Sequence, residues 1–238
     1  MATRIECPHT PSAIKRAGQT LRRRARGDAR ATDEKVAQAE EIGKLFRAAH
    51  QYPLSKANMG LRSMVSTEGC SVEISQRLKR WPTILNKLER EPSLDLSRMQ
   101  DIGGCRAILA SIDEIKRVEA RIRKNRKILG YADYIAAPRP SGYRGVHIVV
   151  EYDQRAIEVQ LRTQPMHEWA ITMEQIGGSL GMFLKTEGDH PVQALMSAVS
   201  QAMADQESGR ISDEGLLSTI RHLRGLATQS LKDKNGQG

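Results

Sequence analysis

The stretch DYIAAPRPSGYRGVHIVVEYDQRAIEVQLRT, residues 133–163, decides the fold. It contains two apolar runs, residues 142–152 and 156–163, that read as strands around a turn rich in proline and glycine. In the second run apolar and polar residues alternate, with Ile157, Val159 and Leu161 set against Glu158, Gln160 and Arg162. Side chains alternate between the two faces of a strand, so one face of this strand is predicted to be apolar and the other polar.

Along the chain, helical patterns come first, a small mixed sheet lies in the middle, and helices follow. The pattern predicts an α+β fold. We expect a basic, weakly ordered segment over residues 1–30, a domain with N-terminal helices over 31–187, and a helical extension over 188–238. Residues 70–91 are predicted to form one helix that is broken or kinked near Pro82.

Composition excludes several classes of protein. The chain has 238 residues, 39% of them hydrophobic, but no apolar run approaches the about 18 residues that cross a bilayer. Its first residues lack the apolar region of a secretory signal. The three cysteines are scattered without the spacing of metal ligands, which favours reduced thiols. We therefore expect a cytoplasmic protein with no membrane partner.

The formal net charge is +9, which points to an anionic partner such as a nucleotide or nucleic acid. The charge is concentrated in KRAGQTLRRRAR, residues 15–26. Such a block is usually a flexible or solvated segment, and contact with RNA is the alternative.

A second group of cations, Arg77, Lys79, Arg80 and Lys87, lies on the predicted helix. Helical spacing lets several of these charges converge on one side. A solvated basic helix is one interpretation. The other is a triphosphate site, because phosphate oxygens accept charge-assisted hydrogen bonds from Arg and Lys.

Asp101 stands immediately before the predicted strand GGCRAIL, residues 103–109. It is either a turn residue or a carboxylate that binds a metal at the edge of the sheet. Paired with Glu158 on a neighbouring strand, it would suit Mg²⁺, which takes a few carboxylates and shares its other positions with phosphate oxygens.

The turn PRPSGYRGVH, residues 138–147, places Tyr143 near Arg139 and Arg144. A tyrosine between arginines is suited to stack on a base beside a phosphate site, and a half-buried structural tyrosine is the alternative.

Four segments in this order resemble the synthetase domain of the RelA/SpoT family, over roughly residues 54–183. They are RLKRWPTILNKLER (77–90), DIGGCRAIL (101–109), DYIAAPRPSGYRGVH (133–147) and IEVQLRTQPMHEWA (157–170). The short span between the second and third is similar to that of the compact, single-domain members.

The resemblance implies a nucleotidyltransferase-like fold, with a mixed β-sheet flanked by helices. It also implies transfer of a pyrophosphoryl group from ATP to a nucleotide 3′-hydroxyl. Asp101 and Glu158 match the catalytic carboxylates that bind Mg²⁺. The residues that match the ATP site are Arg77, Lys79, Lys87 and Arg106. Those that match the acceptor site, where Tyr143 would stack on the base, are Arg139, Ser141, Tyr143, His147, Gln160 and Arg162.

Three functions remain open on the residues alone. The first is synthesis of the alarmones guanosine tetra- and pentaphosphate from GDP or GTP, or of an adenosine analogue. The second is a toxin-like pyrophosphorylation of the tRNA 3′-CCA end, and the third is an inactive binding module. The family's commonest activity favours the first. No histidine is followed by aspartate, so the His-Asp pair of the family's hydrolase domain is absent. A homo-oligomer, an antitoxin or a regulator is a further expected partner.

Overall fold

A computed structural model describes residues 4–180 and 190–235. Its helices are α1 (Pro11–Ala25), α2 (Asp33–Ala48), α3 (Gln51–Thr67), α4 (Trp81–Arg90), α5 (Ile112–Asn125), α6 (Gln164–Leu180), α7 (Pro191–Glu207) and α8 (Glu214–Asn235). Its strands are β1 (Glu73–Leu78), β2 (Gly103–Leu109), β3 (Ile128–Asp133), β4 (Val146–Tyr152) and β5 (Arg155–Thr163).

The five strands form one mixed sheet in the order β1-β2-β5-β4-β3. Strands β2 and β5 are parallel, and the other neighbouring pairs are antiparallel. Asp153 and Gln154, both with positive φ, form the two-residue turn that joins β4 to β5, and such turns match the twist of the strands. The predicted α+β fold, with a mixed sheet flanked by helices, is confirmed.

One face of the sheet is covered by α3 and α5. Ile157 and Leu161 of β5 are fully buried, as the alternation in the sequence predicts. The core on this face joins buried residues of the helices and strands: Leu54, Leu61, Val118, Ile122, Ala107, Ile148, Ile157 and Leu161. Burial of this apolar area drives the packing and leaves the opposite face of the sheet for polar side chains.

The prediction of a single broken helix over residues 70–91 is wrong. Glu73–Leu78 pairs with β2 as an edge strand, and the helix begins only at Trp81. Pro82 lies in the first turn of α4, where its missing N–H leaves no intrahelical hydrogen bond unmade. The proline therefore starts a helix here, and Arg77 lies on a strand.

The basic N-terminal segment is also more ordered than the sequence predicts. Residues 11–25 form α1, in which the Thr10 side chain caps the first turn. Ile14 and Leu21 are buried in a core shared with α2 and α4. The Arg22 guanidinium donates hydrogen bonds to the backbone carbonyls of Leu88, at 2.8 Å, and Leu94. Because the apolar stripe is narrow and interrupted by arginines, composition alone conceals this helix.

The helical extension packs on the domain through α7. The Trp169 indole N–H donates to the Met196 carbonyl at 2.7 Å. At the end of α7, Glu207 pairs with Arg144 at 2.6 Å and accepts a hydrogen bond from Thr163. Both side chains of the ion pair are nearly buried, at 6% and 11% exposed. The ion pair thus joins the end of helix α7 to the loop that precedes β4. Residues 188–189 and 236–238 of the predicted extension, and residues 181–187 of the predicted domain, lie outside the described residues.

We predict that Glu207→Ala lowers the free energy of unfolding by about 3 kcal/mol, because it leaves the buried Arg144 guanidinium without its ion pair. Glu214→Ala is the control, since Glu214 pairs with Arg221 while 77% exposed and exposed pairs contribute little. Urea unfolding of both variants measures the difference. Equal small losses would contradict the importance of the buried pair.

Candidate active site

Polar side chains cover the sheet face opposite α3 and α5. Paired strands place their residues in rows across the sheet, and residues two apart on a strand share a face. One row contains Ser75, Arg106, Gln160 and His147. The adjacent row contains Arg77, Gly104 and Glu158. The polar face predicted from residues 156–163 therefore extends over four strands.

A cleft of about 480 Å³ lies over this face. All the predicted site residues line it except Lys87 and Ser141. Lys87 reaches Asp101 from α4, whereas Ser141 is buried. The cleft also contains residues that sequence reasoning did not assign to the site: Ser75, Gln76, Gly104, Cys105 and Glu174.

Of the missed residues, Glu174 had the clearest available signal. Glu174 follows His167, a residue of the last matching segment, by seven residues on α6. Seven residues are two helical turns, so the spacing places the two side chains on the same side of the helix. Burial and the charge of Arg162 lower the pKa of Arg106, and the charge of Glu174 partly offsets that lowering, so Glu174 and Arg106 are close enough to interact. Ser75 and Gln76 were missed because β1 was predicted as a helix.

Asp101 is held by two lysines. Its Oδ2 atom accepts hydrogen bonds from Lys79 Nζ and Lys87 Nζ, both at 2.9 Å. The Lys79 backbone N–H donates to the Ile102 carbonyl at 2.8 Å, which brings the end of β1 beside the loop that carries Asp101. Burial raises the pKa of the Asp101 carboxyl, but the two lysines outweigh burial and leave its pKa below the ordinary value. Asp101 is therefore ionised at neutral pH.

Glu158 belongs to a closed ring of hydrogen bonds. Its Oε1 atom is 2.9 Å from His147 Nδ1, and its Oε2 atom accepts from Gln160 Nε2 at 2.6 Å. His147 Nε2 is 2.5 Å from the Tyr143 hydroxyl oxygen. Arg162 Nη2 donates to that hydroxyl at 2.7 Å and to Gln160 Oε1 at 2.8 Å. The ring fixes five side chains in one arrangement.

Burial raises the pKa of the Glu158 carboxyl, and the hydrogen bonds from His147 and Gln160 lower it. The net result is a pKa below the ordinary value. The nearby negative charge of Asp101 acts in the opposite direction. The cleft thus holds two ionised carboxylates close enough to influence each other.

The donor set fits Mg²⁺ when phosphate is present. Asp101 Oδ1 is buried without a hydrogen-bond partner in the described part of the chain, so it is available as a ligand. Among those residues no group of three or more His, Cys, Asp or Glu side chains could hold a metal on its own. An ion at this site would therefore need oxygens from a phosphate, which is how Mg²⁺ commonly binds in proteins.

Arg106 and Arg162 add positive charge to the cleft. Burial and the charge of Arg162 lower the pKa of Arg106. The Nε atoms of both arginines are buried without a hydrogen-bond partner among the described residues. Arg139, at the rim, lies over the Tyr134 ring at 4.5 Å from the centroid. Donors of this kind suit an anionic ligand.

Tyr143 lies in the wall of the cleft and is only 5% exposed. Its ring makes edge contacts with Tyr134 and Trp169, at centroid distances of 5.7 and 6.2 Å. Gly142 before it has φ +89°, and a Cβ there would lie 2.7 Å from Ser197 Cα of α7. The turn therefore needs glycine, and Tyr143 combines a packed structural position with a place in the cleft.

Comparison with known proteins is consistent with this geometry. The region found in RelA/SpoT proteins matches residues 76–176, a span that contains the cleft residues from Gln76 to Glu174. The GTP pyrophosphokinase YjbM of Bacillus subtilis is 31% identical over 157 residues, which cover 59% of this chain and 72% of YjbM. The chain belongs to the RelA/SpoT family. YwaC, a second GTP pyrophosphokinase of that organism, is 29% identical over 132 residues, 49% of this chain and 60% of YwaC.

Solved structures of small alarmone synthetases show the same fold. Small alarmone synthetase 1 from Bacillus subtilis, bound to its product pppGpp, has a TM-score of 0.62 at 22% identity. The match covers 75% of this chain and 96% of that one. Small alarmone synthetase 2 from the same organism has a TM-score of 0.60 at 22% identity, covering 70% and 94%. In the described part of the present chain, every helix is too short or too polar to span a membrane.

The contribution of the Tyr143 hydroxyl to the ring of hydrogen bonds can be tested through protein stability. We expect Tyr143→Phe to lower the free energy of unfolding by about 1–3 kcal/mol, because buried groups of His147 and Arg162 lose a hydrogen-bond partner. Tyr134→Phe is the control, since its hydroxyl accepts from Arg139 in an exposed position. Chemical denaturation measures the free energy of unfolding of both variants. If Tyr143→Phe loses no more of it than Tyr134→Phe does, the hydrogen bonds of the Tyr143 hydroxyl do not stabilise the ring.

Proposed function

We propose that this chain is an ATP-dependent pyrophosphokinase that transfers pyrophosphate to the 3′-hydroxyl of GDP or GTP and so makes (p)ppGpp alarmones. Family membership and relatives named GTP pyrophosphokinase support this function. The observation that carries it is the pair of ionised carboxylates, Asp101 and Glu158, on one sheet face beside a group of cations. Phosphoryl-type transfer requires this kind of positioning and charge stabilisation.

The ATP side of the cleft is proposed to be its β1–α4 end. Arg77 and Arg106 line that end, and Lys79 and Lys87 converge there on Asp101. Each lysine has further N–H donors beyond the one used on Asp101, since an ammonium group has three. They can contact a triphosphate while they still hold the carboxylate.

Mg²⁺ is the proposed cofactor, with Asp101 as a ligand through Oδ1 and Glu158 beside it. When bound, the ion would neutralise charge on the ATP phosphates. Glu158 is proposed to accept the proton from the acceptor 3′-hydroxyl, because it is ionised and oriented by its neighbours. The acceptor would lie against the β4–β5 side, near Arg139, Tyr143 and Arg162. Ser141 is buried outside the cleft and would act only through the shape of the turn.

We also propose a cytoplasmic location, where ATP and guanine nucleotides are available. The thiols of Cys7, Cys70 and Cys105 are free, which is consistent with that environment.

The reaction is tested by incubating the purified chain and Mg²⁺ with γ-labelled ATP and, separately, GDP, GTP or bulk tRNA. We expect the label in a guanine nucleotide, because the transferred pyrophosphoryl group keeps the γ-phosphate. Label in tRNA alone, or in none of the acceptors, would overturn the proposal.

Asp101→Asn and Glu158→Gln are run in the same assay. Each should reduce transfer at least about 100-fold, since each removes a charge placed for the transition state. Glu151→Gln, which changes a carboxylate near the end of β4 that pairs with Lys127, should retain activity. Thermal melting shows that each variant is folded. Near-normal turnover in either active-site variant would defeat the assignment.

A further inference from the structure

His147 has a place in the cleft that the family resemblance does not describe. The resemblance sets it among the residues that contact the acceptor. In the structure it lies on β4 opposite Gln160 of β5, and its ring reaches diagonally to Glu158. Diagonal neighbours on adjacent strands are within reach of large side chains.

Both ring nitrogens of His147 already have partners. Nδ1 is 2.9 Å from Glu158 Oε1, and Nε2 is 2.5 Å from the Tyr143 hydroxyl. An imidazole has two nitrogens and no other hydrogen-bonding atom. A phosphate or sugar could therefore bind His147 only by displacing Glu158 or Tyr143.

The direction of these hydrogen bonds follows from the charges. An ionised carboxylate only accepts, so His147 Nδ1 must carry a proton and donate it to Glu158. Nε2 shares a hydrogen bond with the Tyr143 hydroxyl, and Arg162 donates to the hydroxyl oxygen. On the other side of the ring, Arg162 donates to Gln160, which donates to Glu158. Both series of hydrogen bonds connect Arg162 with Glu158.

Burial makes this arrangement rigid. Arg162 and Tyr143 are 4% and 5% exposed, and the side chains of His147 and Glu158 are 16% and 18% exposed. Each Glu158 oxygen is held by a different neighbour, so the carboxylate can neither rotate nor swing away without breaking the ring. Displacement of a reacting group by about 1 Å can reduce a rate about 100-fold.

We propose that His147 is a positioning residue: it holds Glu158 in the orientation that receives the acceptor proton and does not itself bind the acceptor. This inference rests on the proposed pyrophosphokinase function. It predicts that loss of His147 affects turnover far more than acceptor affinity.

The test is a matched pair of substitutions. In His147→Asn the amide nitrogen lies near the former position of Nδ1 and can still donate to Glu158. In His147→Gln it lies near the former position of Nε2, close to Tyr143. We expect kcat to stay within about 10-fold of wild type for Asn and to fall about 100-fold for Gln. The acceptor KM should change less than about 3-fold in both.

Acceptor affinity is measured independently by calorimetry in the presence of a non-hydrolysable ATP analogue. If His147 contacts the acceptor, both variants will bind the acceptor at least about 10-fold more weakly while kcat stays near wild type. That result, or a Gln variant more active than the Asn variant, would overturn the inference.

A third variant covers the possibility that a His147 variant does not fold. Gln160→Met removes the other support of Glu158 and leaves His147 in place. We expect it to reduce kcat with little change in acceptor affinity, and unchanged kcat would overturn the positioning of Glu158 by the ring. Wild-type protein is assayed for transfer from γ-labelled ATP in parallel with the variants. If the wild-type protein labels no guanine nucleotide, the proposed function is overturned. If the wild-type protein is active but His147→Gln has a higher kcat than His147→Asn, only the role of His147 is overturned.

Discussion

The parallel pairing of β2 with β5 is the constraint on which the site depends. It sets Gly104 beside Glu158 and Arg106 beside Gln160, so residues distant in sequence share one face. Gly104 has no side chain, and the nearest atom to a Cβ built there is the Glu158 carbonyl oxygen at 3.6 Å, which leaves open space over this row. Asp101 lies three residues before Gly104, so it is near the same part of the sheet as Glu158. The two carboxylates are therefore neighbours because of the sheet topology.

The two carboxylates are stabilised in different ways. Asp101 is held by the formal charges of Lys79 and Lys87, on a single oxygen. Glu158 is held by hydrogen bonds from His147 and Gln160, on both oxygens. The first arrangement leaves one Asp101 oxygen for a further ligand, and the second leaves Glu158 oriented. This difference supports separate proposed roles, with Asp101 toward the metal and phosphates and Glu158 toward the acceptor hydroxyl.

Much of the fold and site could be predicted where local patterns were strong. The alternation around Glu158 predicted a strand with one polar face, and the family resemblance brought the cleft residues together. The sequence does not reveal helix α1, because arginines interrupt its buried apolar stripe, and it does not reveal strand β1, because Pro82 indicates a break in a helix. The ring around Glu158 could not be predicted, since it depends on the register of β4 against β5. Likewise, the burial of Tyr143 depends on α7, a distant segment.

The proposed function requires that nucleotides bind on the polar face of the sheet. A crystal structure with Mg²⁺ and a non-hydrolysable ATP analogue tests it most directly. We expect a triphosphate over this face, with Asp101 Oδ1 on the ion, Lys79 and Lys87 on phosphate oxygens, and Glu158 on the opposite side of the β-phosphate. A triphosphate bound away from the face, with Asp101 and Glu158 in contact with neither ion nor phosphate, would contradict it.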